Sequence, residues 1–291
     1  MYSRIHINLS LLILFFFFNI QAFTQKKTEN LIVCFYNVEN LFDTIDQPVL
    51  LDEEFTPDSK KNWNTTKYFK KLDNVARVLS SMSNDKLPDI IGLSEVENIS
   101  VLEDLIEMPG LKAGNYGIVH EESPDVRGID VALLYNRNTV KVRNHEVIPV
   151  KLPFDTTFRT RDILYIHLEA NDKNDIHVFV NHWSSRRGGE KASEPKRLYS
   201  AVALRRKIDI LLSKDSQSRF IIMGDFNDEP TNKSLNSILM AGNKRKNFGK
   251  GDLYNLYYDK HNLHNEGSYN YRGSWNMLDQ IIVSGTAFSK P

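Results

Sequence analysis

The sequence has little cysteine, no excess of either charge and a single long apolar run. Only Cys34 of its 291 residues is cysteine, so no disulfide can form within the chain and stability must come from packing. The 37 basic residues balance the 37 acidic ones, so general electrostatic steering toward nucleic acid or membranes is not expected. Any basic binding site must therefore be local. Cys34 lies in the apolar run 31–36 and is predicted to be a core residue.

The long apolar run is near the N-terminus and has the pattern of an export signal. Arg4 precedes the apolar residues 11–18, and Ala22-Phe23-Thr24 offers small residues at the cleavage positions. This run is shorter than the roughly 20 residues that span a bilayer. We predict that residues 1–24 are a signal peptide, that the mature chain has no stable membrane insertion, and that it is secreted or periplasmic. A single membrane-tethering helix is the alternative.

Residues 25–291 are long enough for one α/β domain with a large core, and no repeat or linker divides them. We expect a monomer. Apolar runs predict strands at 31–36, 89–93, 129–135, 146–150, 163–169, 176–180, 219–223 and 278–284. Helical spacing predicts helices at 67–82, 101–107, 193–212 and 232–239, with Ser193 as a cap and Pro195 in the first turn. Residues 242–271 are predicted to be a polar loop.

The stretch 219–230 combines a buried strand with an abrupt polar end. Open α/β sheets place ligands where such strands end, here at Asp225-Phe226-Asn227. Strand alternation puts Asp225 and Asn227 on the same side. Gly224 would leave room for a substrate beside the backbone. The structural alternative is an Asx-type turn in which Asp225 and Asn227 cap backbone amides.

Three other strands also end in polar residues, and one begins with an acidic residue. Asn37, Glu95 and the pair Asn181-His182 follow strands, and Asp279 opens the last one. Because these residues come from distant parts of the chain, the pattern predicts that the strand ends meet at one site.

On these motifs the chain resembles the endonuclease/exonuclease/phosphatase family. The resemblance runs from about Leu31 to the end of the chain. It rests on Gly224-Asp225-Phe226-Asn227, Asn181-His182 and Asp89-x-x-x-Leu93-x-Glu95-Val96, and residues 36–42 are similar to the opening of a secreted bacterial branch. It implies a four-layer α/β sandwich of two packed, mainly antiparallel sheets with helices outside. It also implies hydrolysis of a phosphoester by water with Mg²⁺, which Mn²⁺ or Ca²⁺ could replace.

The resemblance also assigns a metal site. Glu95 matches the metal-binding glutamate of the family, and Asn37 would assist it. Since Mg²⁺ takes oxygen ligands and keeps several waters, one or two protein groups suffice. Glu97 is the competing ligand, because alternation points it the same way as Glu95.

The catalytic residues implied by the resemblance are His182, Asp225, Asn227 and Asp279. His182 would contact the phosphate and protonate the leaving oxygen. Asp225 would polarise or deprotonate the attacking water, and Asn227 would steady the phosphate. Asp279 would orient a histidine or the phosphate.

Substrate contacts are predicted for residues that flank this site, because arginine forks suit phosphate oxygens. The alternative for each arginine is an ordinary solvated surface. The predicted contacts are Asn181, Arg159, Arg161, Arg186 and Arg187.

The family pattern continues beyond the match to Asp279 with a Ser-Asp-His strand whose histidine is the usual general base. No histidine follows Asp279 here, and His261 or His264 would have to replace it. We therefore expect a C-terminally truncated product with its last strand missing and an unpaired sheet edge. Catalysis should then be impaired by roughly 10²–10⁴-fold.

The predicted function is an exported Mg²⁺-dependent phosphodiesterase, specifically a nuclease acting on DNA or RNA. A phospholipid or sugar-phosphate phosphodiesterase or phosphatase is the second hypothesis. It would call for an exposed apolar hairpin or a basic inositol-phosphate pocket. A non-catalytic remnant is the third. No aromatic platform for a single-stranded substrate is recognised in the sequence.

Overall fold

The computed structural model describes residues 30–244, 249 and 251–285, so the predicted signal peptide 1–24 lies outside the described residues. The strands are β1 (Val33–Leu41), β2 (Ile90–Val96), β3 (Tyr116–His120), β4 (Asp130–Asn136), β5 (Val140–Ile148), β6 (Ile163–Ala170), β7 (Asp175–His182), β8 (Phe220–Asp225), β9 (Ala241–Gly242), β10 (Leu253–Asn255), β11 (Tyr269–Tyr271), β12 (Ser274–Asn276) and β13 (Asp279–Ser284). The helices are α1 (Thr65–Ser81), α2 (Ile99–Glu107), α3 (Glu190–Lys214) and α4 (Tyr258–His264), and Ser234–Ile238 forms a π-helical turn.

Two large sheets dominate the described chain. One has the order β1-β2-β4-β3 and the other β5-β6-β7-β8-β13-β10-β9. Most neighbouring strands are antiparallel, but three pairs are parallel: β1 with β2, β7 with β8, and β9 with β10. The first two pairs are connected through α1 and α3. Within the described residues, β1 is an edge strand.

Three hydrophobic cores separate four layers. The apolar face of α1, including Leu72 and Leu79, packs on Cys34 and Leu93 of the smaller sheet. A central core between the sheets is formed by Leu133, Ile166, Val178, Met223 and their neighbours. Leu204 and Ile208 of α3 pack with Phe179 and Ile222 on the outer face of the larger sheet. The predicted sandwich of two sheets between helices is confirmed, and so is the buried position of Cys34.

Several boundaries differ from the predictions for physical reasons. Helix α3 begins at Glu190, so Ser193 lies inside it and donates its hydroxyl to the carbonyl of Gly189 instead of capping the first turn. The predicted loop 242–271 contains β10, α4 and β11, whose short lengths leave no clear periodicity. Strand β3 was missed because Tyr116–His120 has only five residues, one of them glycine.

No helix of the described residues is long and apolar enough to cross a membrane.

Candidate active site

The polar strand ends meet at the edge of the sandwich, where both sheets contribute. Asn37 Nδ2 donates to Glu95 Oε1 at 3.3 Å and to Asp225 Oδ2 at 3.1 Å. His182 Nε2 lies 3.8 Å from each of these same two oxygens. One amide thus bridges two carboxylates from different sheets, and one imidazole lies near both.

The pairing of strands explains why these residues meet. His182 and Asp225 are neighbours at the carboxyl ends of the parallel strands β7 and β8. Asp279 opens the antiparallel strand β13 directly opposite Asp225. Asn37 of β1 lies beside Ser94, the residue before Glu95. The central core packs the sheets together and brings the two groups of strand ends into contact.

Glu95 reaches the site through an irregular backbone. Its φ is 64°, in the left-handed region that is uncommon for residues other than glycine. The register of β2 with β4 shifts at the same place, between Ser94 and Val96, as in a β-bulge. Alternation fails here, so Glu97 does not join Glu95. Glu97 instead is buried, accepts a hydrogen bond from the backbone of Asp43, and does not line the cleft described below.

Asp225 and Asp279 form an acidic pair. Burial raises the pKa of Asp225 to about 7, and the charge of Asp279 contributes. Burial also raises the pKa of Asp279 to about 6, and the charges of Glu95 and Glu39 add to this effect. Asp279 Oδ1 is buried without a hydrogen-bond partner. The site concentrates negative charge that the described residues do not neutralise.

His182 is a neutral imidazole at neutral pH. Burial, with the nearby positive charges of Arg161 and Arg127, holds its pKa well below the usual value. Its Nδ1 is buried without a partner. A neutral ring donates a hydrogen bond from one nitrogen and accepts at the other. This favours hydrogen bonding to a phosphate over the predicted role as a charged acid.

Asn227 forms the turn that was one of its two predicted roles, and its Nδ2 donates to the carbonyl of Trp183 at 3.0 Å. Its backbone N–H donates to Asp225 Oδ1 at 2.9 Å, which is the expected Asx-type turn. Its φ is 51°, and the residue still lines the cleft beside Asp225. Asp225 therefore shapes the turn with one oxygen and faces the cleft with the other.

Gly224 has a different role from the predicted one. A Cβ at this position would lie 2.3 Å from the carbonyl oxygen of Asn181. The space beside the glycine is thus filled by the neighbouring strand β7 and is not open to a substrate. Glycine is needed here for close packing of the two strands.

Two predicted substrate contacts are structural in this arrangement. Asn181 is fully buried, donates to the carbonyl of Met223 and accepts from Trp183 Nε1. Arg161 is buried, pairs with Asp125 at 2.8 Å, and donates to the carbonyls of His182 and Trp183. Both residues fix the end of β7 and so position His182, and both amide hydrogens of Asn181 are used within the protein.

A cleft of about 1430 Å³ opens above the acidic group. Arg186 and Arg187, for which substrate contacts are predicted, lie on its wall, and so does Arg272. Arg186 is held by the carbonyl of Asn227 and by acidic neighbours. Arg187 is exposed and makes no hydrogen bond or ion pair with any described residue. Arg159 lies outside the cleft, where it donates to the carbonyls of Thr156 and Phe158.

The donor set suits a hard divalent cation. Glu95, Asp225 and Asp279 offer carboxylate oxygens, and the unpartnered Asp279 Oδ1 together with the raised carboxyl pKa values marks unbalanced negative charge. Asn37 is the second predicted ligand. Its oxygen accepts from the backbone N–H of Glu39 at 2.9 Å, so only its nitrogen faces the carboxylates. In this conformation Asn37 holds the two carboxylates together, and its role as a ligand stays a prediction.

A second group of possible metal ligands was not predicted. Ligand atoms of His120, Glu122 and Asp130 lie within 4.8 Å of one another, outside the cleft lining. His120 and Asp130 are hydrogen-bonded at 3.1 Å, and burial raises the pKa of Glu122. The three residues come from β3, the following loop and β4, so only the pairing of β3 with β4 could have revealed them.

Two further features were missed, one behind the site and one on the cleft itself. Arg197 is fully buried in α3 and pairs with Asp228 at 2.6 Å, which fixes the chain after Asn227. The hairpin β11–β12 lines the cleft, although its residues were assigned to a loop and to no element. Its signal was present as alternating aromatic residues around Arg272-Gly273, a pair suited to a two-residue turn.

His261 and His264 do not reach the acidic group. His261 pairs with Glu229, and His264 is exposed at the end of α4. Neither residue lines the cleft.

The comparisons with known proteins agree with this architecture. The model of the Endonuclease/Exonuclease/phosphatase family matches residues 32–290, and the chain belongs to this family. Its members are phosphoester hydrolases and are generally metal-dependent. No curated protein matches the chain.

Several solved structures share the fold at low identity. The human Nocturnin catalytic domain with bound sulfate has a TM-score of 0.53 and 20% identity, with 74% of this chain and 75% of that chain covered. A humanized TDP2 from D. rerio has a TM-score of 0.58 and 14% identity, with 90% and 86% covered. A mannosyl-6-phosphatase from Bacteroides thetaiotaomicron has a TM-score of 0.56 and 18% identity, with 88% and 85% covered. At these identities the likeness concerns the fold alone.

Proposed function

We propose that the protein is an exported, Mg²⁺-dependent phosphodiesterase that hydrolyses nucleic acid. The observation that carries the proposal is the group of three carboxylates, Glu95, Asp225 and Asp279, that lines a cleft with arginines on its wall. The buried His182 lies behind this lining, 3.8 Å from Glu95 and from Asp225. Export rests on the N-terminal sequence pattern alone.

Phosphoester hydrolysis needs charge neutralisation, a proton acceptor and donors for the phosphate oxygens. Mg²⁺ held by Glu95 with help from the neighbouring carboxylates would supply charge neutralisation at the phosphate. We assign Asp225 as the acceptor of the proton of the attacking water. The water oxygen forms a bond to phosphorus, the P–O ester bond breaks, and solvent supplies a proton to the leaving oxygen. His182 would donate to the phosphate oxygens, and so would the one Nδ2 hydrogen of Asn227 that the carbonyl of Trp183 does not occupy.

The cleft wall favours a substrate with more than one phosphate. Arg187 is exposed and uncommitted among the described residues, and Arg272 lies on the same cleft. Planar guanidinium groups bind phosphate oxygens with two parallel hydrogen bonds. A nucleic acid offers phosphates on both sides of the scissile one, whereas a small phosphate monoester does not.

The test uses plasmid DNA, a single-stranded oligonucleotide, a sugar phosphate and a phosphodiester chromogen, each with Mg²⁺ and with chelator. We expect Mg²⁺-dependent cleavage of nucleic acid by the wild type, and loss of cleavage in Glu95→Gln and His182→Gln. Turnover of the sugar phosphate or chromogen without cleavage of nucleic acid would support the second hypothesis instead. No turnover of any substrate would identify a non-catalytic protein.

Arginine variants test the substrate class. Arg187→Ala should raise KM for oligonucleotide with little change in kcat, since it removes a contact to a remote phosphate. Arg159→Ala is the matched control, because Arg159 lies outside the cleft. Equal effects of the two substitutions would contradict the assignment of Arg187.

A further inference from the structure

The hairpin β11–β12 places two tyrosines on the cleft. We propose that its cleft face is a stacking surface for the bases of a single-stranded nucleic acid. This inference rests on the proposed function, because it assigns a binding surface to the bases that lie next to the hydrolysed phosphate.

The pairing of the hairpin separates its two faces. Tyr269 is opposite Asn276 and Tyr271 is opposite Ser274, and all four residues line the cleft. Asn270 is opposite Trp275, and neither of these lines it. The turn residues Arg272 and Gly273 both have positive φ, 51° and 89°, as a type I′ turn requires. The hairpin thus presents its tyrosines to the cleft and Trp275 to the other side.

The tyrosine rings are available for contact. Tyr269 is 49% exposed and Tyr271 is 54% exposed. Their centroids are 6.4 Å apart with an interplanar angle of 19°, as alternate residues of one strand produce. Arg272 lies 5.2 Å from the centre of the Tyr271 ring. Aromatic rings at alternate strand positions, with a cation beside them, are suited to stacking successive bases and holding the phosphate between them.

The hairpin is fastened to the acidic group. Ser268 Oγ, just before β11, accepts hydrogen bonds from the backbone N–H groups of Leu278 at 3.1 Å and Asp279 at 2.9 Å. Asn276 Oδ1 accepts from Arg186. A base on the tyrosines would therefore lie close to the phosphate at Asp279.

This geometry favours single strands over duplex. A base must leave its own stack before it can lie on a tyrosine ring, which costs a duplex its pairing but costs a single strand little. A sugar phosphate has no planar ring that could stack on a tyrosine. A surface suited to sugar phosphates would therefore show no preference for the base-bearing probe over the abasic one.

The experiment separates base stacking from catalysis. Binding is measured by fluorescence anisotropy in chelator, where no metal-dependent turnover occurs. The probes are an end-labelled oligodeoxyadenylate and an abasic oligonucleotide of the same length. The proteins are wild type, the double variant Tyr269→Leu/Tyr271→Leu, its conservative counterpart Tyr269→Phe/Tyr271→Phe, and Trp275→Leu as the control on the opposite face.

The wild type should bind the base-bearing oligonucleotide more tightly than the abasic one. The leucine double variant should lose roughly 10- to 100-fold in affinity for the base-bearing probe and little for the abasic one. The phenylalanine variant and Trp275→Leu should stay within about 2-fold of the wild type, because both keep the stacking rings. Circular dichroism of all variants checks that they fold.

Three results would overturn the stacking surface. The leucine double variant could lose equal affinity for both probes, or Trp275→Leu could lose as much as that double variant. The wild type could also fail to bind the base-bearing probe or to prefer it. Turnover distinguishes this result from a failure of the proposed function. Preference for bases without Mg²⁺-dependent cleavage would retain the stacking surface and reject the nuclease. Cleavage without preference for bases would do the reverse.

Discussion

Asp225 and Asp279 face each other directly across the antiparallel strands β8 and β13, with Asp225 buried and Asp279 partly buried in one acidic site. Opposed like charges destabilise a sheet. The pair is therefore a cost to folding.

Asp279→Asn should stabilise the protein in chelator and lower its activity. Removing one of two opposed charges should raise the free energy of unfolding by roughly 0.5–1 kcal/mol, seen as a melting temperature higher by about 1–4 °C. Hydrolysis with Mg²⁺ should fall, because the bound cation loses the negative charge of the Asp279 carboxylate beside it. Glu103→Gln removes an exposed charge of α2 and should change neither quantity. A destabilised Asp279→Asn variant would contradict this account.

Glu95→Gln should weaken binding of Mg²⁺ or Mn²⁺, measured by titration calorimetry, by roughly 10-fold or more, because an amide is a poorer ligand for a hard cation than a carboxylate. Glu97→Gln is the matched control, since Glu97 does not line the cleft. Burial raises the pKa of Glu97 to about 8, so its carboxyl group is mostly protonated at neutral pH and glutamine resembles it. If Glu97→Gln weakens metal binding and Glu95→Gln does not, the assignment of Glu95 as the ligand is wrong.

Arg161→Met should destabilise the protein by roughly 3 kcal/mol in urea denaturation, because it breaks a buried ion pair and leaves two carbonyl groups without their donor. Activity should fall as well, since His182 belongs to the strand end that Arg161 fixes. Arg159→Met should lie within about 0.5 kcal/mol of the wild type, as for an ordinary exposed residue. A larger destabilisation by Arg159→Met than by Arg161→Met would contradict the structural role assigned to Arg161.

His177 should make stability depend on pH. Burial, with a contribution from His167, lowers the pKa of His177 from 6.5 to about 4. Between these values the unfolded chain binds a proton that the folded chain does not, so stability present above pH 6.5 is lost as pH falls toward 4. His177→Phe keeps a ring beside Tyr165 and Phe220 and removes the titration. Its unfolding free energy should change less than that of the wild type across this range, and equal slopes would contradict the assignment.

The sequence predicts the layers of this fold well because they depend on apolar runs and helical spacing. The strands that end at Glu95, His182 and Asp225 are long and buried, and their types could be read directly. Strand pairing could not be read, because register depends on contacts between distant residues. The short strands β10–β12 carry too few residues for a periodic signal.

The members of the acidic site could be predicted, but their contacts could not. Alternation gives Glu95 and Glu97 the same direction, and only the left-handed backbone at Glu95 separates them. The residue type of Arg161 predicts a contact with phosphate. Its burial, which the sequence does not reveal, instead gives it a structural role. The sequence also gave no sign that the oxygen of Asn37 is occupied by its own turn.

Because the backbone of Glu95 is left-handed, selection for thermal stability and selection for hydrolysis would favour different residues at this position. Glycine would adopt φ of 64° without the cost, of order 1 kcal/mol, that a side chain incurs there. A library of variants screened only for thermal survival should therefore accept glycine at this position. Such a screen would discard the carboxylate while improving the protein by its own measure.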